Sequence, residues 1–100
     1  MVIVPSGIAF RELATEIEKA QSKLGPETVH LTYRVEEDSN GVPSIFFRII
    51  LADWASREET LTSFTRRIIK TLLDEVKPIE NWGLHPYFNF GSQTEFRPAS

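Results

Sequence analysis

The sequence predicts an α+β two-layer sandwich, with two helices on one face of a mixed sheet of three to four strands. Three observations carry that expectation. Apolar residues recur at three and four positions near the N-terminus and again after residue 56, which is the stripe of a helix. Between those stretches the apolar residues alternate with a period of two, the mark of a half-buried strand. The chain of 100 residues is 41% hydrophobic and 25% charged, ordinary globular usage for a single domain over residues 1–100.

The first helical stripe is Phe10, Leu13, Ile17, Ala20 and Leu24. Gly25-Pro26 should end it, with Gly in a left-handed cap and Pro unable to continue the ladder. Val29, Leu31, Tyr33 and Val35 then face one way, while His30, Thr32, Arg34 and Glu36 face the other. Asp38-Ser39-Asn40-Gly41 is turn chemistry, because Asn-Gly tolerates the positive φ of a tight reversal. Pro43 can open the next strand, where a first residue needs no paired N–H.

The second strand, residues 44–52, turns Ile45, Phe47, Ile49 and Leu51 to one side and Phe46, Arg48 and Ile50 to the other. A strand apolar on both faces is central in its sheet or covered on each side. Ser56 and Glu59 have the S-x-x-E form of a capping box, so the second helix is expected to start there, with Asp53 as an alternative cap. Its stripe is Leu61, Phe64, Ile68 and Leu72, broadened by Thr65, Ile69 and Val76. The helix should stop by Pro78, and a loop through Asn81-Trp82-Gly83 should lead to a third strand near residues 87–92.

These elements give the order αββαβ, which resembles type II KH-like domains. A further strand at residues 1–4 would make it βαββαβ, the ferredoxin-like order. In both cases the hairpin is antiparallel and both helices cover one face of the sheet. The crossover through the second helix should be right-handed if the strands it joins are parallel neighbours.

Composition narrows the function. With no cysteine, disulfide scaffolds, thiolate zinc sites, thiol nucleophiles and iron–sulfur clusters are excluded. His30 and His85 lack metal-ligand spacing, so neither a metal nor a cofactor is expected. Ser56, His85 and Asp53 can be assembled into a catalytic set on paper, but no nucleophile elbow surrounds Ser56. Asp53 and Ser56 read better as capping residues, and catalysis is not expected. The five glycines form no phosphate cradle. The N-terminus has no basic n-region, and the longest apolar run is far short of the roughly 20 residues of a membrane span. A cytoplasmic domain is the expectation.

Net charge is −3, which disfavours a nucleic-acid partner because phosphate binding wants a basic field. No GXXG tetrapeptide of the KH type occurs, and residues 44–49 do not match the RNP1 motif. Arg66, Arg67 and Lys70 could touch phosphates, although three basic residues on a helix normally form a solvated face. Five of the eleven aromatics fall in the last nineteen residues: Trp82, Tyr87, Phe88, Phe90 and Phe96. The expected site is a protein–protein interface on the helix-free face, centred on Phe46 and Ile50. Tyr87 joins from the third strand, and Arg34 and Arg48 form a polar rim. The partner would be a second copy of the chain or another small protein.

Ile45-Phe46-Phe47-Arg48-Ile49, Asp53-x-Ala55-Ser56, Thr65-Arg66-Arg67-Ile68 and Pro86-Tyr87-Phe88-Asn89-Phe90 with Ser92 and Glu95 form a distinctive set. From about Ala14 to Glu95 the chain resembles a family of short, uncharacterised bacterial proteins with no assigned activity. Proteins of that kind look like genomic companions of small helical HEPN-type proteins, some of them ribonuclease toxins. The resemblance implies a toxin–antitoxin or defence role and assigns no site residue.

Overall fold

The computed structural model describes residues 7–96. Its elements are α1 (Gly7–Ser22), β1 (Thr28–Glu37), β2 (Pro43–Leu51), a 3₁₀ turn (Asp53–Ala55), α2 (Glu58–Val76), α3 (Pro78–Trp82), β3 (His85–Ser92) and α4 (Gln93–Phe96). The strands lie in the order β1-β2-β3, with β1 antiparallel and β3 parallel to β2. This is the αββαβ order with two short helical additions. A ferredoxin-like sheet would hold another strand between the two parallel ones, whereas β2 and β3 pair directly. The strand expected at residues 1–4 lies outside the described residues.

The core sits on one side of the sheet. Leu13, Ile17 and Ala20 of α1, together with Ile68, Leu72 and Val76 of α2, pack on Ile45, Phe47, Ile49 and Leu51 of β2. Those helical stripes, spaced by three and four residues, and the alternating strand positions are the ones the apolar pattern selects. Phe47 is 1% exposed, and burying such a ring contributes about 1.5–3 kcal/mol. Phe88 and Phe90 of β3 join the same core from the edge.

Local structure departs from the sequence expectation at four places. Gly25 does not adopt a left-handed conformation; its need is space, because a Cβ there would run into the Glu27 carboxylate. That carboxylate is buried and accepts from Gly25 N (3.3 Å) and from Arg67 Nη2 (3.2 Å). Val29 is 46% exposed although the alternation turns it inward. The β1–β2 register shifts between Thr28 and His30, which displaces Val29 from the ladder.

The α2 start also differs. Its N-cap is Arg57, with no side-chain cap hydrogen bond. The Ser56 hydroxyl instead donates to the carbonyls of Ala52 (3.1 Å) and Asp53 (3.2 Å), closing the 3₁₀ turn. Asp53 accepts from Thr94 N (3.0 Å) and Thr94 Oγ1 (2.8 Å), so it holds the start of α4 rather than of α2. Finally, Pro78 both stops α2 and opens α3. Lys77 takes a left-handed φ of 49° between them, and Gly83 with φ 65° closes α3 where a loop was expected.

Candidate functional site

The helix-free face of the sheet is built in four rows, each taking one residue from each strand. From the hairpin end they are Glu36–Ser44–His85, Arg34–Phe46–Tyr87, Thr32–Arg48–Asn89 and His30–Ile50–Gly91. Strand alternation puts these residues opposite the core positions. Four of the five expected interface residues, Arg34, Phe46, Arg48 and Tyr87, come together in the two middle rows.

The second row is a continuous stack. Phe46 and Tyr87 have ring centroids 4.9 Å apart and planes 11° apart. The Arg34 guanidinium lies 4.6 Å from the Phe46 centroid. Neighbouring strands are about 4.8 Å apart, so two near-parallel rings at that spacing cannot lie flat side by side. They stand up from the sheet, each covering a face of the next. His85 meets Tyr87 edge-on, with centroids 4.9 Å apart. What the row offers to a partner is therefore ring edges and a guanidinium, in the hot-spot chemistry of Arg and Tyr.

Two carboxylates tie the stack to its neighbours. Arg34 Nε donates to Glu36 Oε1 at 2.8 Å. Tyr87 Oη donates to Asp38 Oδ2 at 2.7 Å, while Asp38 Oδ1 accepts from the N–H groups of Asn40 (2.8 Å) and Val42 (2.9 Å). The Tyr87 hydroxyl, with help from those turn amides, holds the Asp38 carboxyl below the usual carboxylate range. In return the hydrogen bond it donates to Asp38 raises the Tyr87 phenol above its ordinary value, since ionisation would remove that proton, and the neighbouring negative charge adds to the effect. Asp38 thus ends the β1–β2 hairpin and anchors β3. Its turn chemistry was visible in the sequence, but its contact with a residue 49 positions away was not.

In the third row Arg48 Nη1 donates to Asn89 Oδ1. Arg34, Phe46, Tyr87, Arg48 and Asn89 line a cavity of ≈ 270 Å³ on this face. Asn89 was not among the expected site residues; its only sequence signal is the outward register of β3.

Ile50 corrects the expectation. It is fully buried, at 0% exposure, and adds no apolar surface to the open face. Its row partner is Gly91, and Ile50 Cδ1 lies 3.6 Å from where a Cβ on residue 91 would sit. Arg48 Nη2 lies at the same 3.6 Å from that point, so the Arg48 side chain reaches over Gly91 beside Ile50. Beside this end of the sheet, α4 is pinned by Asp53. The exposed apolar centre is thus Phe46 with Tyr87, which is 38% exposed, and the surface around them is polar.

The helical cations lie elsewhere. Arg66, Arg67 and Lys70 line a shallow groove along α2 together with Glu59. Arg67 is engaged with buried Glu27 and lies 5.0 Å from the Phe64 ring centroid. Lys70 pairs with Asp74 at 2.9 Å. Among the described residues no three His, Asp or Glu side chains gather to hold a metal, and no helix is long and apolar enough to cross a membrane. No protein-family model, curated protein or solved structure matches the chain.

Proposed function

We propose that this chain is a non-enzymatic protein-interaction module that docks a second copy or a small partner protein on its open sheet face. The observation that carries the reading is the upright Arg34–Phe46–Tyr87 stack. An aromatic face left bare on a sheet suits a stacked base. Here one face of Phe46 is taken by Arg34 and the other by Tyr87, so a nucleobase finds no platform on it. Edges, a hydroxyl and guanidinium groups suit a protein surface better. The residues of the paper triad support a binding role too. The Ser56 hydroxyl closes the 3₁₀ turn, the Asp53 carboxylate holds Thr94 and the His85 ring packs on Tyr87. The resemblance to companions of HEPN-type proteins supplies one class of small partner.

Sedimentation of wild type and Phe46→Glu over a concentration series tests this reading. Wild type should assemble beyond the 11.4 kDa of one chain, and the folded variant should return to that mass. Monomeric wild type would remove the self-association form. Single-stranded RNA bound at physiological salt and lost in Phe46→Ala would replace the whole reading with nucleic-acid binding.

A further inference from the structure

The cavity between the two middle rows has a chemistry of its own. Arg34 and Arg48 stand diagonally across β1 and β2, and both reach it. Asn89 accepts from Arg48 through its carbonyl oxygen, which turns its amide NH₂, a pure donor, away from that bond. Two guanidinium groups and an amide therefore line one cavity beside the upright rings, and no acidic side chain lines it. This is donor-rich space on a chain whose net charge is −3.

We infer that this cavity is a carboxylate-binding site that takes one Asp or Glu side chain from an extended segment of the partner protein. The inference rests on the interface reading above and names the chemistry of its partner. Guanidinium groups match a carboxylate as a planar two-pronged donor. Glu36 already pairs with Arg34 from within the chain through one contact, Nε to Oε1 at 2.8 Å. Arg34 remains 64% exposed in that pair, so its other N–H groups stay open to an incoming acid. Charge placement also disfavours an anion that extends toward the hairpin. Glu36 and Asp38 lie at that end, so a phosphate chain running that way would leave the two arginines and meet carboxylates. One acid held between uncharged extended-chain neighbours avoids them.

The test compares two capped pentapeptides, Gly-Val-Glu-Val-Gly and Gly-Val-Gln-Val-Gly, titrated into the full chain and followed by amide NMR. The Glu peptide should bind roughly tenfold more tightly, the scale of a charge-assisted contact. It should shift the Asn89 side-chain amide and the backbone of Arg34 and Arg48. Arg48→Gln should lose about that factor at unchanged melting temperature. Glu36→Gln should gain affinity, because it removes the internal competitor for Arg34, a result that a merely structural role for these residues would not produce. Equal binding of the two peptides, shifts confined to another surface, or indifference to Arg48→Gln would overturn the inference. So would a single-stranded RNA that displaces the Glu peptide at higher affinity. If Phe46→Glu still dissolves the assembly while the peptides bind equally, the interface reading survives and only the carboxylate site falls.

Discussion

The two sides of β2 carry the same alternation and reach opposite ends. On the helix side, Ile45, Phe47, Ile49 and Leu51 are all buried in one core. On the other side, Ser44 and Ile50 are buried, Phe46 is half-buried and Arg48 is exposed. Alternation tells which way a side chain points. How far it is covered depends on what stands beside it on the neighbouring strands. Tyr87 and Arg34 flank Phe46 and leave it half-buried, whereas Ile50, in a row with His30 and Gly91, is fully covered.

Substitutions along this one strand sharpen the contrast. Phe47→Ala should be the most damaging, costing about 3–5 kcal/mol in chemical denaturation, because it empties the centre of the core. Ile50→Ala should cost about 2–5 kcal/mol, a core-like loss from the face opposite the helices. A value near zero there would mean that this row is surface after all. Phe46→Ala should cost less, about 1–2 kcal/mol, mostly from the lost ring stack and cation contact. It should leave a folded monomer. Arg34→Gln should fall to about 0.5–1 kcal/mol, since both the cation–ring contact and the exposed pair with Glu36 are weak in water.

The smallest effect is one of pH. Asp38 is held below its usual range, so its contact with Tyr87 is complete at neutral pH and is lost as pH falls through that lowered value. Tyr87 is held above its ordinary value, so the same contact is lost again as pH rises through the raised one. Tyr87→Phe should flatten both limbs of a stability-against-pH profile and change little between them. An unchanged alkaline limb would show that the hydroxyl contact does not persist in solution.

Much of this arrangement was legible in the residues. The periods of α1, α2 and the strands located the core, and the order of elements placed Phe46, Arg34, Arg48 and Tyr87 on one face. The failures share a cause. Ser56, Asp53 and Pro78 each carry a local signal that two structures satisfy equally: a helix cap or a 3₁₀ closure, a helix end or a helix start. For Asp53 a distant partner, Thr94, decided between them, and for Ser56 the nearby carbonyls of Ala52 and Asp53 did. Ile50 failed because alternation within β2 gives the direction of a side chain and not how far its surroundings cover it. Asn89 was missed because an isolated Asn on a strand has no period of its own.

The parallel pairing of β2 with β3 also sets when the open face comes into being. Arg34 and Phe46 belong to one hairpin and meet across a short turn. Tyr87 and Asn89 arrive from the far side of α2, with Arg48 and Asn89 separated by 41 residues. Closing the short loop loses less chain entropy than closing the long one. The hairpin half of the face can therefore form while β3 is still unfolded. Only the last strand to dock converts a guanidinium over a lone ring into a stack with a cavity beside it. A ligand that requires lining residues from all three strands binds only chains whose longest loop has closed, so occupancy of that cavity reports the docking of β3 rather than the presence of the hairpin.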